Sequence, residues 1–398
     1  MNRRYFTLVR NKFKLSRIVG IIHEHQGYLS PEIWGGFAIY PNSLRKGFSQ
    51  ISDSPVSNLI SAGDQIMKDL QIQSKTSIYS KIKIRMMPDT FFNQIRSAFL
   101  NYNPNRETII YHHMNSFTLP PFWLLKIAQN YNLRMITSII DFQEHEHPEF
   151  LGKAIYDQRQ KNYEVTLNLA SGFVTASPFL VDSANRYFGI PEDVIKVAPL
   201  GWDHMPPLSE IQSKSIDELA DVSKPYFVFP SKAWAHKGHY ELISYFKDLQ
   251  NKLNLVLVGG LGSQTKSLEA AIRDTGQETS ISILGYQSEI DLYALMYNSK
   301  GLVFPSIYEG FGLPYVEAAH LRTPVIAFEN DSVNNLLGKS SAYLHSPGDY
   351  RNLISSLPFT LVDPNRKAII DSAFSKTENL TWENTARKTL EIYNLAID

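Results

Sequence analysis

The 398-residue chain contains no cysteine, which excludes disulfides and thiolate metal sites and suits a reducing compartment. It carries no net charge, because 39 Lys and Arg balance 39 Asp and Glu. There is no long basic tract and no ladder of aromatics among basic residues, so nucleic acid is not expected as a partner. No apolar run approaches the ~20 residues of a membrane-spanning helix, and the first residues lack the apolar core of a secretory signal. The expectation is a cytoplasmic protein. Asp-x-Asp pairs, short internal repeats and low-complexity segments are also missing.

What is present is size and alternation. At 398 residues the chain exceeds what one hydrophobic core usually supports, so two domains are expected. Strand-like runs at 18–22, 108–111, 135–140 and 172–175 alternate with helical stretches near 89–101, 120–131, 150–169 and 178–188. A polar segment without strand signal, from Met205-Pro206-Pro207 to Lys224-Pro225, reads as a linker, after which runs at 226–229, 253–258, 280–284, 301–304 and 324–328 restart the pattern. Such alternation predicts an α/β protein with two parallel sheets covered by helices. The portion up to Asp203 is roughly five charges positive and the remainder roughly five negative, a modest dipole between lobes. Arg3, Arg4, Arg10, Lys12, Lys14 and Arg17, interleaved with Tyr5, Phe6, Leu8, Val9 and Phe13, would let residues 1–17 lie on an anionic membrane surface; a basic leader before the first strand is the other reading.

The densest chemical signal is the stretch from Phe304 to Ala318, in which Glu309 and Glu317 stand eight positions apart around Gly310-Phe311-Gly312. The apolar run 301–304 predicts a buried strand, the glycines a loop, and Pro314 the first position of a helix, where its missing N–H costs nothing. Glu317 then falls in the first turn. Free N–H groups at such a helix start, with the positive end of its dipole, make a site for phosphate or sugar hydroxyls. Each carboxylate is a two-oxygen acceptor and can hold a pair of neighbouring hydroxyls.

This string resembles the Glu-x7-Glu signature of retaining glycosyltransferases with two Rossmann-like lobes, the GT-B fold of the family 4 type (glycosyl transferases group 1). Val197-Ala198-Pro199-Leu200-Gly201-Trp202-Asp203 is similar to the interlobe segment of that family. Phe229 to His239, with Ala235-His236-Lys237-Gly238-His239, is similar to the lysine-bearing loop in the "HKNH" form of bacterial polysaccharide transferases. Arg322 to Ala327, Ser346 to Asp349 and Leu380 to Glu383 match later family segments in the correct order. The resemblance covers nearly the whole chain. It implies a first, acceptor-side lobe over 1–203, joined by 378–398 crossing back as a final helix, a linker over 204–224 and a nucleotide-sugar donor lobe over 225–377.

Site roles follow residue by residue. The resemblance places Lys237 on the donor pyrophosphate, a compact ammonium suited to a leaving diphosphate, with Ser231 and Lys232 where the family often has arginine. Glu309 would orient the sugar and Glu317 the ribose, and N–H groups near Gly310, Phe311, Gly312 and Leu313 would stabilise charge. Gly259 sits in a turn that approaches the nucleotide; a dinucleotide reading of Val258-Gly259-Gly260-Leu261-Gly262 is disfavoured because Thr265 stands where a third glycine belongs. Gly285 and Tyr286 match the loop that meets the base. In the first lobe, Gly35 and Gly36 resemble the loop near the donor phosphates, and as a bare Gly-Gly pair also read as a plain turn.

The segment from Ile140 to Phe150 departs from the family pattern, since Ile140 occupies the place of a histidine near the transferred sugar. Asp141 is the candidate for touching the acceptor hydroxyl, and His112 and His113, or His145 and His147, are candidates for the missing imidazole's space. The run Glu144-His145-Glu146-His147 lacks the i, i+4 histidine pair of a helical zinc site, so no metal and no cofactor beyond the donor are expected. The implied reaction is metal-independent, retaining hexosyl transfer from a nucleoside-diphosphate sugar to a glycan or lipid-linked acceptor, in bacterial cell-surface polysaccharide or O-antigen synthesis, with mannose or rhamnose as the sugar. The alternatives are a non-catalytic sugar-nucleotide binder of the same fold and a nucleotide-sugar epimerase.

Overall fold

The computed structural model describes residues 17–23, 36–51, 56–61, 107–120, 133–221, 223–249, 252–260 and 264–397. Residues 1–16, Gly35, the helical stretch expected near 89–101 and, after residue 120, the one expected near 120–131 lie outside the described residues.

The first lobe is a parallel sheet of β1 (Arg17–His23), β2 (Val56–Ser61), β3 (Glu107–His113), β4 (Leu133–Ile139), β5 (Gly172–Thr175) and β6 (Ile195–Val197), in the order β2-β1-β3-β4-β5-β6. Helix α1 (Gly36–Gln50) follows β1, the single turn α2 (Gln143–Glu146) and α3 (Lys153–Leu169) follow β4, and α4 (Phe179–Phe188) follows β5. The helical stretch expected at 150–169 is divided: Pro148–Phe150 is a 3₁₀ turn, and α3 starts after Gly152. Gly189 closes α4 at φ 64°, a left-handed residue that accommodates glycine without penalty.

The second lobe repeats the architecture. Its strands are β7 (Tyr226–Pro230), β8 (Asn254–Val258), β9 (Ile281–Gly285), β10 (Leu302–Phe304), β11 (Val325–Phe328) and β12 (Tyr343–His345), in the order β12-β11-β10-β7-β8-β9 and all parallel. Between them run α5 (Leu208–Ser213), before the sheet, then α6 (His239–Phe246), α7 (Thr265–Asp274), α8 (Glu289–Asn298), α9 (Leu313–His320), α10 (Asp331–Leu336), α11 (Tyr350–Val362) and α12 (Arg366–Thr377). Helices cover both faces, so the central strands are apolar throughout rather than alternating: Phe227, Val228, Leu255, Leu257, Leu302, Val303, Ile326 and Ala327 are all fully buried. Burying each such Leu, Val or Phe side chain contributes about 1.5–3 kcal/mol.

The segment from 204 to 224 is not a solvated tether. It holds α5, and Ile211, Ile216 and Ala220 are buried in the same core as Tyr226 and Phe227.

The last helix, α13 (Trp382–Ile397), lies on the first lobe. Trp382, Ala386, Leu390 and Tyr393 recur at helical spacing and pack on Tyr40, Leu44 and Phe48 of α1. Gly47 permits the approach, since a Cβ there would stand 2.1 Å from the Trp382 carbonyl oxygen. The two chain crossings are stitched together: Trp202 N donates to Leu380 O at 3.0 Å, and Trp382 N to Asp203 Oδ1 at 2.7 Å.

Candidate functional site

In the second sheet β7 and β10 are neighbours whose following connections leave in opposite directions, the point where parallel sheets open a crevice beyond their carboxyl ends. The loop after β7 carries Lys237 and the loop after β10 carries Glu309. Both line a cleft of about 640 Å³ between the lobes. Their side chains form an ion pair and are only 11% and 12% exposed, and the Lys237 ammonium lies 5.1 Å from the Phe304 ring centroid.

Gly312 sets the geometry below Glu309. Its φ of 84° reverses the chain at the N-cap of α9, and any Cβ there would stand 2.4 Å from the Tyr315 ring. Ser332 Oγ donates to Phe311 O and holds the turn. The helix begins at Leu313, one residue earlier than the position of Pro314 predicts, so Glu317 lies in the second turn rather than the first. Glu317 still reaches the cleft with Gly310, Phe311, Gly312, Leu313 and Pro314. Its Oε1 accepts from Tyr293 OH at 3.0 Å and from His204 Nε2 at 2.9 Å.

The remaining second-lobe candidates surround the same cavity. Ser231, Lys232, Gly259 and Tyr286 line it. Lys232 lies 5.7 Å from the Trp234 ring, and burial pulls its pKa down to about 8. Gly259 has φ 136° and lies against Ser231, whose carbonyl oxygen would be 2.6 Å from a Cβ. Gly285 is one step behind the lining, accepting from Gly259 N at 2.7 Å.

From the first lobe, Asp141 follows β4 into the cleft. Burial and the neighbouring Glu144 carboxylate raise its pKa to about 6, against the opposing pull of Arg159. The Glu309 and Lys237 loops both touch the first lobe directly. Phe142 N donates to Tyr308 OH at 3.0 Å, Ser177 Oγ to Gly310 O at 2.6 Å, and Gln143 Nε2 to His236 Nδ1 at 2.7 Å. A Cβ on Gly310 would meet the Ile140 carbonyl oxygen at 2.1 Å, so glycine is what lets the lobes approach.

The four candidate histidines, His112, His113, His145 and His147, do not line the cleft. His112 is fully buried behind Ser138, with Nε2 2.8 Å from Ser138 Oγ and Nδ1 2.7 Å from Tyr393 OH, and burial holds its pKa down to about 3. His113 turns to Thr118 O at 3.0 Å. His145 stacks on Tyr187 at 4.7 Å and bonds Gln160. The run from 144 to 147 diverges to separate partners: Glu144 to Arg159, His145 to Gln160, Glu146 to Ser183 and His147 to Glu149. Gly36 opens α1, and Gly35 is outside the described residues. Among the described residues, no group of three or more acidic or histidine side chains is placed to hold a metal, and no helix is long and apolar enough to cross a membrane.

Sequence reading did not single out His204, Tyr293, Gln143 or His236 as site residues, yet all line the cleft. The Lys237 loop carried the only signal for His236; the others meet partners far away in sequence.

Residues 211–373 match the model of the glycosyl transferases group 1 family. The chain is 23% identical over 269 residues to O-antigen chain mannosyltransferase B of Escherichia coli, covering 66% of this chain and 70% of that protein. It is 30% identical over 132 residues to O-antigen chain mannosyltransferase RfbU of Salmonella typhimurium, covering 33% of this chain and 37% of the relative. The Anabaena HepE structure in complex with UDP-glucose superposes with a TM-score of 0.67 at 18% identity, over 94% of this chain and 99% of that one. The chain thus has the GT-B fold, and the greater part of its second lobe is similar to the glycosyl transferases group 1 family.

Proposed function

We infer that the chain is a retaining hexosyltransferase that moves a sugar, with mannose the first candidate, from a nucleoside diphosphate to a hydroxyl of a glycan or lipid-linked acceptor in polysaccharide synthesis. The observation that carries this reading is the convergence of Lys237, Glu309, Glu317 and the α9 N-terminus on one interlobe cleft. The similarity to O-antigen mannosyltransferases supports the sugar and the setting, and HepE with UDP-glucose supports a nucleotide-sugar donor.

In this reading the diphosphate displaces Glu309 from Lys237. The ammonium and the N–H groups of α9 then hold the leaving phosphate charge. Glu309, released, accepts from hydroxyls of the transferred sugar, while Glu317 accepts from the ribose. A departing phosphate oxygen takes the acceptor's proton on the same face from which the diphosphate leaves, so no protein nucleophile is required, unlike the two flanking carboxyls of a retaining glycosidase. Asp141, across the cleft, contacts the acceptor side. Catalysis then consists of positioning and electrostatic stabilisation, with the lobes excluding water, and needs no metal.

Ile140 in place of a family histidine motivates the second reading, a non-catalytic binder; His204 and His236 are the imidazoles among the described residues lining the cleft, and both come from outside the β4 loop. NMR of the sugar released from GDP-mannose and UDP-glucose, with EDTA present, separates the two. Turnover giving first the donor's own anomeric configuration supports retaining, metal-independent transfer. Inversion, or binding without any turnover, contradicts it.

A further inference from the structure

We propose that His204 is a positioning residue for the nucleotide: it fixes one oxygen of Glu317 so that the other is presented to the donor ribose. This rests on the reading of Glu317 as the ribose contact.

His204 follows the interlobe crossing at Gly201-Trp202-Asp203, and its side chain is 6% exposed. The Trp382 indole N–H can only donate, and it points to His204 Nδ1 at 3.2 Å. Nδ1 also lies 3.2 Å from the Gly201 carbonyl oxygen, and Nε2 faces Glu317 Oε1 at 2.9 Å; a carboxylate oxygen only accepts, so the proton of that pair sits on Nε2. Tyr293 OH donates to that same oxygen at 3.0 Å. Two donors converge on Oε1, which stops rotation of the carboxylate. Oε2 makes no hydrogen bond among the described residues and belongs to a residue that lines the cleft.

The imidazole is itself anchored by a rigid platform. Besides the two hydrogen bonds that tie Trp202 and Asp203 to the start of α13, Gly201 lies so near that a Cβ would be 2.3 Å from Trp382 N. The His204 ring also stands edge-on to Trp382 at 6.1 Å. The place where the chain crosses between lobes twice thus carries the side chain that orients Glu317, so lobe placement and ribose grip share one support.

Calorimetric titration of the full chain with GDP and UDP, and with their 2′,3′-dideoxy counterparts, tests this. His204→Phe keeps the ring's bulk and removes the donor; it should weaken ribonucleotide binding about tenfold, the scale of one hydrogen bond to a charged group, and leave dideoxynucleotide binding unchanged. His204→Gln, which returns an N–H, should recover part of the loss, and Glu317→Gln should lose the preference for ribose. If Glu317→Gln keeps that preference, the ribose role of Glu317 fails and the proposal with it. If Glu317→Gln loses it and His204→Phe does not, only the positioning role is overturned. Equal weakening of both nucleotide types by His204→Phe overturns it as general damage, and a wild type that binds none of the ribonucleotides GDP, UDP and ADP, the last compared with its dideoxy form in the same way, overturns both readings.

Discussion

Lys237 and Glu309, 72 positions apart in sequence, form an ion pair inside the cleft. Each comes from a loop on its own side of the switch point between β7 and β10. In the proposed function a diphosphate brings more negative charge to Lys237 than Glu309 does, so donor binding would release Glu309.

Either Lys237→Ala or Glu309→Ala is expected to lower transfer by about 10²-fold or more, the scale of losing one stabilising group at the leaving charge. Far-UV circular dichroism should be unchanged. The double variant should lose less than the product of the single losses, because the two side chains are in direct contact and do not act independently. Near-normal turnover in either single variant would remove the basis for both roles.

Gly310→Ala places a methyl group 2.1 Å from the Ile140 carbonyl oxygen. The lobes must then separate locally and break the Ser177 bond to Gly310 O. The expected outcome is a fall in kcat of about 10²-fold, as small misplacements of reacting groups produce, with the nucleotide still raising the melting temperature. Loss of nucleotide binding instead would show that the glycine serves the donor pocket and not lobe contact.

Gln143→Ala removes the 2.7 Å bond to His236, which with the Phe142–Tyr308 bond joins the loop after β4 to the second lobe. A net loss of about 0.5–1.5 kcal/mol follows for a single neutral hydrogen bond. Turnover should fall several-fold with KM for the donor little changed, as steady-state kinetics would read.

Stability should depend on pH through buried imidazoles. Burial lowers His112 to about 3, His236 to about 2, and His239 and His320 to about 4. Unfolded, each titrates near ~6.5, so their contribution is present above that pH and is lost as pH falls toward the folded values. Asp141 acts in the opposite sense. Burial beside Glu144 and Glu309, opposed by Arg159, raises it to about 6, and the native chain holds the extra proton from ~3.9 up to that value. Its carboxyl therefore costs stability as pH rises through that window. Denaturant titrations at pH 5 and 7.5 should show the wild type less stable at pH 5, and Asp141→Asn gaining over wild type at pH 7.5 relative to pH 5. Parallel pH dependences would contradict the assignment.

The central strands were legible because both their faces are buried: β5 has the bounds that its apolar run predicts, and β7, β8, β10 and β11 differ by a residue or so. The edge strands β2, with Asn58 in its middle, and β12, three half-buried residues, give no such run. The Glu309 and Glu317 loop could be read because strand, glycines, proline and helix are contiguous. His204 could not, since its partners Tyr293, Glu317 and Trp382 lie 89, 113 and 178 positions away. His112 lies near the end of β3 and His145 in the short helix after β4, yet their rings pack against Tyr393 and Tyr187; the direction of a side chain at a strand end or in a short turn is decided by neighbours that local sequence does not contain.

The most direct test of the central claim is a thermal-shift comparison of the wild type, Lys237→Ala and Glu317→Ala with UDP, GDP, dTDP and ADP and their common sugars, with and without Mg²⁺. Ligand that binds only the folded chain raises the melting temperature by an amount set by concentration over Kd. A nucleotide-sugar cleft at Lys237 and Glu317 predicts a selective rise with one base in the wild type, without Mg²⁺, that is reduced or absent in both variants. No rise with any nucleotide, or the same rise in all three proteins, would contradict it.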